Sequence, residues 1–351
     1  MPPRLTFAIP LFAALALAGC AGDGGGIQSQ KMALIKGRGT LNCGVNGQLP
    51  GFSFVGSDGL YRGLDVDICK ATAAAVLGDP AKVTYRDLSA TERFAALGSG
   101  EVDLLSRNTT MTLSRDAPGG NALAFAPTTF FDGQAVMVPA SSGIKSLKDV
   151  AGKPICVETG TATELNLADR MRELNAAYTP LKFQSGDQTF AAYLQGRCVA
   201  VTSDRSQLAA KRTGFPNPAE HLLLPDVLSK EPLNPATINA DPAWADAVRW
   251  VVYSLIQAEE MGITTANIDA KLAEAKANKN LAQLRRFLGV EGDLGKQLGL
   301  PADFVVKTVK AVGNYGEVFE RNVGQGSPLK LERGVNQQWL KGGLMYSPPF
   351  L

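Results

Sequence analysis

The sequence predicts an α/β protein built as two similar lobes, and three observations carry that prediction. Between Thr40 and Leu105, strand-like and helix-like segments alternate, the pattern of a parallel sheet with crossover helices. The same order returns between Lys153 and Asp204. Finally, Phe94-Ala-Ala-Leu-Gly-Ser-Gly100 aligns without a gap on Phe190-Ala-Ala-Tyr-Leu-Gln-Gly196, and carrying that register forward puts Ser106 on Thr202 and Asn108 on Asp204. If the lobes face each other, Asn108 and Asp204 both look into the cleft between them.

Taken in order, the chain opens with Arg4 and an apolar run from Leu5 to Ala18, too short to span a bilayer but suited to the h-region of a secretory signal. It ends in Leu17-Ala18-Gly19-Cys20, which resembles a bacterial lipobox, whose cysteine becomes the lipidated first residue. A cleaved signal with an incidental Cys20 is the other reading. Asp23 to Gln30 is rich in glycine and reads as a tether. Thr40–Val45 reads as a strand, Asn46–Phe52 as the loop at its end, and Ser57-Asp58-Gly59 as a hairpin turn. A helix follows from Gly63 to Leu77, with acids in its first turn where the helix dipole favours them, and Gly78-Asp79-Pro80 stops it. Lys82–Asp87 alternates like a strand, Thr91–Leu97 is a short helix, and Glu101–Leu105 is a buried strand.

In the second half, Lys153–Val157 is a strand, Glu164–Leu174 a helix, Phe183 lies in a strand, Thr189–Leu194 is a helix and Cys198–Val201 a strand. Leu208–Arg212 is helical, and Phe215–Pro235 is rich in proline. Ala243–Ile256 carries apolar residues at helical spacing, with Trp244 and Trp250 as packing groups. Asn267–Leu288 reads as one exposed helix and Phe304–Val312 as another, and the glycine-rich stretch from Gly313 to Leu351 is expected to wrap the body.

Composition narrows the function. About 330 residues after Cys20 are enough for two cores. Thirty-five basic against 33 acidic side chains give a net charge of +2, without the basic footprint of a nucleic-acid partner. The single histidine, His221, reads as a lobe-surface residue, and no CxxC spacing supports zinc, so neither a metal site nor a histidine triad is expected. No cofactor is expected either.

The stretch Ser106–Arg115 is the chemical centre of this reading. It follows a buried strand and holds five hydroxyl side chains, one amide and two guanidinium groups, with no carboxylate. Polar loops at strand ends are where open α/β sheets bind ligands, and Arg115 could hold a small carboxylate by two parallel hydrogen bonds. The competing reading is a solvated turn with a helix N-cap.

Gly63-Leu-Asp-Val-Asp67, the unit from Phe94 to Asp103, Thr112-Leu-Ser-Arg115 and Gly160-Thr-Ala-Thr163 together resemble the polar amino-acid-binding proteins of ABC transporters. Cys43–Gly51, Arg107–Arg115 and Val312–Arg321 are similar to the general L-amino-acid-binding branch, and the likeness runs from Lys36 to Phe350. The resemblance implies an α/β fold of the type II, Venus-flytrap kind: two lobes, two crossing hinge strands near Phe131–Ala135 and Ser229–Asn234, and a mainly helical C-terminal extension. The resulting division is 1–20 signal, 21–35 flexible tether, 36–133 plus 232–262 lobe one, 134–231 lobe two, and 263–351 an extension on lobe one. Of the three pairings four cysteines allow, Cys43–Cys69 and Cys156–Cys198 is favoured, because each partner lies in an apolar segment and each pair falls within one lobe.

By the same resemblance, Arg115 clamps a ligand's α-carboxylate together with the backbone N–H groups of Ala162 and Thr163 at a helix N-terminus. Asp204 takes the ammonium, with the Asn108 carbonyl and the Thr110 hydroxyl as further acceptors. Asn46 and Leu49 stand where relatives carry an acid and an aromatic, which suits broad substrate choice. Ala162 replaces a common hydroxyl residue, and the backbone contact survives that loss. The implied function is a monomeric, non-enzymatic, periplasmic receptor, held to the membrane by lipid at Cys20, that delivers L-amino acids to transporter membrane subunits. The other classes are a ligand sensor and a dehydratase-like enzyme on the same fold, for which Glu158 and Asp204 are the cleft acids.

Overall fold

The computed structural model describes residues 29–351. The signal segment, Cys20 and residues 21–28 of the expected tether lie outside the described residues. The remainder of that tether is a correction: residues 30–35 belong to a helix, Gln30–Arg38, in which Ser29 is the N-cap, accepting from Met32 N–H, and Gly39 (φ +77°) is the left-handed C-cap. Asp241 pins its start, accepting from Ser29 Oγ and Lys31 N–H at 2.9 Å each. Among the described residues no helix is long and apolar enough to cross a membrane.

Two sheets organise the chain. The first has five strands in the order Val83–Asp87, Leu41–Val45, Leu104–Leu105, Ala236–Ile238, Leu123–Phe125. The second runs Thr179–Phe183, Pro154–Glu158, Ala200–Asp204, Phe130–Pro139, His221–Leu223. The internal repeat holds in space. Leu104 and Leu105 lie parallel to Cys43 and Gly44, and Ala200 and Val201, 96 positions later, lie parallel to Ile155 and Cys156. The strand Phe130–Pro139 serves both bodies: its first residues pair with Lys230–Leu233 and its later ones with Ala200–Asp204 and His221–Leu223.

The helix Leu64–Leu77 is buried along almost its whole circumference, because the sheet covers one side and the C-terminal helix Phe304–Val312 covers another. Its alanines let both neighbours approach closely. Gly63 starts it at φ +134°, where a Cβ would lie 2.0 Å from the Phe52 carbonyl oxygen, so no other residue fits. One apolar core runs from Met32 through Leu41, Ile68, Val251 and Val309 to Phe350, joining the C-terminal helices to the first sheet. In the second sheet, Ala135 and Met137 face one core while Val136 and Val138 face another, the strand's period of two.

Two further differences from the sequence reading have local causes. Asn267–Leu288 is two helices, Ile268–Ala277 and Ala282–Phe287, because Asn278-Lys279-Asn280 breaks the run. The wrapping segment contains a helix, Tyr315–Asn322, that the glycine content hid. Its capping box, with Asn314 accepting from Glu317 N–H and the Glu317 carboxylate accepting from Asn314 N–H, is legible as N-x-x-E in the sequence.

Both favoured disulfides form, Cys43–Cys69 (Cα–Cα 6.2 Å) and Cys156–Cys198 (5.6 Å). The second closes a 42-residue separation. Replacing Cys156 and Cys198 together by alanine is expected to lower the unfolding free energy by about 2–5 kcal/mol in urea titrations; an unchanged midpoint would show that the bridge contributes nothing.

Candidate ligand site between the two sheets

The loop Ser106–Arg115 leaves the C-terminal end of its strand and turns inward at once. Arg107, Asn108, Thr109 and Thr110 are all buried, so the solvated-turn reading does not hold. Asn108 is in the left-handed region (φ +33°), a conformation asparagine tolerates better than most residues. Its N–H donates to Asp65 Oδ2 at 2.9 Å, so the first turn of the helix Leu64–Leu77 holds the loop in place. Arg115, on a one-turn helix, donates from Nη1 to the Thr110 carbonyl at 2.7 Å, and its guanidinium lies 5.1 Å from the Phe94 ring centre. The Thr110 hydroxyl donates to Glu231 Oε2 at 2.5 Å, which leaves its oxygen free to accept.

The second sheet supplies the opposite wall. Thr161 caps the helix Ala162–Glu173 and accepts from Glu164 N–H at 3.1 Å, so Ala162 and Thr163 are its first two residues, whose N–H groups have no partner within the helix. Asp204 ends the strand Ala200–Asp204 opposite Gln134. Gln134 Nε2 donates to the Thr163 carbonyl and to Thr202 Oγ1, both at 2.8 Å, tying the helix start to the strand end.

Arg115, Asn108, Thr110, Ala162, Thr163 and Asp204 line one enclosed cavity of about 20 Å³, room for about one water molecule. Arg93, Arg107, Glu158, Thr161, Ser203 and Gln207 complete its wall. Of these, Glu158 was singled out in the sequence as a cleft acid. Three of the others had a usable signal: Arg93 precedes the repeated unit, Arg107 precedes Asn108, and Gln207 follows Asp204 by three. Asn46 lies apart, in an adjoining chamber of about 160 Å³ that shares Arg107, Glu158 and Gln207 with the first cavity. Leu49 is a correction. It lies in the apolar core at 1 % exposure, because strand alternation turns Gln48 outward and Leu49 inward, so it contributes no surface to either chamber.

Polar contacts bridge the two walls. Asn108 Nδ2 donates to Gln207 Oε1 at 3.4 Å, Arg93 Nη2 to the Gly160 carbonyl at 3.4 Å and Lys211 Nζ to the Gln48 carbonyl at 2.9 Å. Arg107 faces Glu158 at 3.8 Å. Among the described residues, Arg93 Nε, Ser106 Oγ, Asn108 Oδ1 and Gln134 Oε1 are buried with no hydrogen-bond partner. Leaving such atoms unpaired is costly, and two of the residues, Arg93 and Asn108, line the cavity, where a polar ligand could satisfy them.

Electrostatics point the same way. Burial, then the neighbouring Asp132 and Glu231, pushes the Asp204 carboxyl well above the usual carboxylate range, against the pull of Arg93 and a hydrogen bond from the Asn108 side chain. Burial likewise raises Asp65 to about 7 and Asp132 to about 6. Burial and the neighbouring Arg107 and Arg115 lower Arg93 well below its ordinary value. A carboxyl raised in the folded chain binds more protons than the unfolded chain does between about 3.8 and its raised value, so folding stability falls as pH rises through that window. The melting temperature of the ligand-free protein is therefore expected to decline from pH 4 to pH 7, and less steeply in Asp132→Asn. Parallel slopes for the two proteins would remove Asp132 from this linkage.

With this geometry in view, comparison with known proteins is informative. Residues 41–287 match the family described as bacterial extracellular solute-binding proteins, family 3. A general L-amino acid-binding periplasmic protein of Rhizobium johnstonii is 49 % identical over 317 residues, covering 90 % of this chain and 91 % of that one. A glutamate/glutamine/aspartate/asparagine-binding protein of Rhodobacter capsulatus is 49 % identical over 319 residues, covering 90 % and 92 %. Among solved structures, an ABC transporter periplasmic binding protein of Brucella ovis with glutathione bound is 46 % identical, with a TM-score of 0.87 over 92 % of this chain and all of that one. The two-lobed α/β architecture, the matched span and these relatives lead to one conclusion: the chain belongs to family 3 of the bacterial extracellular solute-binding proteins and is a solute receptor rather than an enzyme.

Proposed function

We propose that this protein is the periplasmic, monomeric substrate-binding component of an ABC importer for L-amino acids of several side-chain types. In this reading lobe one is 36–133 plus 232–262, lobe two is 134–231, and lipid at Cys20 anchors the chain. The observation that carries the reading is the single cavity in which Arg115, Asn108 and Thr110 from one sheet meet Ala162, Thr163 and Asp204 from the other. Arg115 and the two helix-start N–H groups form the carboxylate subsite. Asp204, the Asn108 carbonyl and the Thr110 hydroxyl form the ammonium subsite, where an incoming cation stabilises the carboxylate form of Asp204. The cavity of about 20 Å³ is smaller than an amino acid, so in this reading the lobes part to load and close around the ligand on a wider space than this one. A ligand touching both lobes favours the closed state by its differential affinity. Asn46, an amide beside the larger chamber, imposes no charge preference on the side chain.

A second ligand class is favoured by one observation, the chamber of about 160 Å³ that adjoins the anchor cavity and is lined by Gln48, Ser89, Asp187 and Lys211 among others. A γ-glutamyl peptide would place its α-amino-acid end on the same anchors and its remaining atoms there. The Brucella ovis relative, described with glutathione bound, supports weighing that class.

Calorimetry with the common L-amino acids, a D-enantiomer, a sugar and glutathione separates these readings. Several L-amino acids are expected to bind, and Arg115→Ala to weaken each by about 2–5 kcal/mol; affinity unchanged by that substitution would remove the clamp. Asp204→Asn is expected to weaken amino acids more than their deaminated analogues, and equal losses would remove its ammonium role. In cells, deleting the gene is expected to abolish uptake, and Cys20→Ser to release the protein from the membrane fraction. Uptake that survives deletion would favour sensing over transport.

A further inference from the structure

The C-terminal extension holds the first two residues of the crossing strand and the residue before them. Tyr315 Oη donates to the Thr129 carbonyl at 2.8 Å. Phe130 is packed between Phe52 (ring centres 5.2 Å apart, edge-on) and Phe319 (6.0 Å, parallel). Asn336 then takes both backbone groups of Phe131: its Oδ1 accepts from Phe131 N–H at 2.7 Å and its Nδ2 donates to the Phe131 carbonyl at 3.0 Å.

Those two groups would otherwise be a bare strand edge. Phe131 lies opposite Pro232, which has no N–H and whose carbonyl accepts from Met111 N–H at 2.9 Å. The pair therefore exchanges no hydrogen bonds, and the Phe131 N–H and C=O face the other way. On that side the neighbouring strand reaches only as far as Gln134, opposite Asp204. Asn336 is the side chain that can stand in for a strand residue there, because its amide carries one donor and one acceptor in a plane.

Asn336 is itself held firmly. Arg333 Nε and Nη2 donate to the Asn336 carbonyl at 3.0 and 2.9 Å. The same guanidinium forms a two-pronged pair with Glu259 at 3.1 Å on each prong and lies 4.8 Å from the Phe319 ring centre. Both Arg333 and Asn336 are buried. The next residues of the strand, Asp132 and Gly133, have no such hold from the extension.

We propose that Asn336 is a positioning residue for ligand binding: by fixing Phe131 to the first lobe it confines lobe opening to a bend at Asp132–Gln134. The extension thus acts as the fixed side of the hinge. This inference rests on the reading that the lobes part and close around ligand.

The test compares the full chain, Asn336→Leu and, as a control in the same extension, Trp339→Ala, whose side chain reaches Glu260 and not the strand. Hydrogen exchange of the ligand-free proteins reports the strand, and stopped-flow dissociation of a bound L-amino acid reports opening. Asn336→Leu is expected to speed exchange at the Phe131 amide by about tenfold or more and ligand dissociation by about fivefold, the scale of one lost buried hydrogen-bond pair. Trp339→Ala is expected to change neither. Faster exchange with unchanged dissociation would reduce Asn336 to a stability contact and overturn the proposal, as would an equal effect from Trp339→Ala. Wild-type protein that binds no amino acid would overturn the receptor reading first, and the hinge role with it.

Discussion

Charge removed from water at the junction of the two sheets is the constraint to which the rest of the structure answers. Arg93, Arg107 and Arg115 are buried there with Glu158, Asp204 and Glu231. Most of these groups find partial compensation. Arg107 donates to the Leu88 carbonyl at 2.7 Å and faces Glu158. Arg115 has the Thr110 carbonyl, and Glu231 accepts from Thr110, Ser229 and Asn166. Asp204 is the exception, pushed toward its neutral form by burial and by two acidic neighbours. An uncompensated buried charge costs several kcal/mol, so a site left with unpaired donors on one side and a raised carboxyl on the other matches a ligand that carries both signs.

Holding such groups in register requires rigid support, and it comes from elements far apart in the chain. The first turn of the helix Leu64–Leu77 is the common point. Asp65 accepts from Asn108 N–H and so sets the cavity-lining loop. Asp67, two residues on and on the opposite side of the helix, accepts from Arg321 Nη2 and Asn322 Nδ2, each at 2.6 Å. Acids that suit the helix dipole thus join the loop near residue 108 to a helix near residue 320. The C-terminal extension is consequently part of the first lobe's core rather than an appendage, and Phe304–Val312 packs directly on that same helix.

Alternating strands and helices, the repeated unit at Phe94 and Phe190, and the residue types at 108, 110, 115 and 204 could be read from the chain, because each leaves a local trace: a period, a spacing, or a polar residue where a strand ends; the choice among the three disulfide pairings rested also on the lobe division that the resemblance implied. Two helices, Gln30–Arg38 and Tyr315–Asn322, had legible caps but were hidden by glycine-rich surroundings. Leu49 shows the opposite error, since resemblance put it at the ligand while a single-residue strand register put it in the core.

What the sequence by itself determined was the set of elements and the kinds of group available at strand ends, because hydrophobic periodicity and capping are properties of neighbours in the chain. Only the tertiary structure decided that Arg93 and Arg107 share a cavity with Asp204, that Asn46 opens onto a second chamber, and that Asn336 supports Phe131. Those relations span up to 205 residues. They arise because two sheets meet along the paired segments Phe130–Gly133 and Lys230–Leu233, and the burial that follows sets the charge at their junction, which no local pattern encodes.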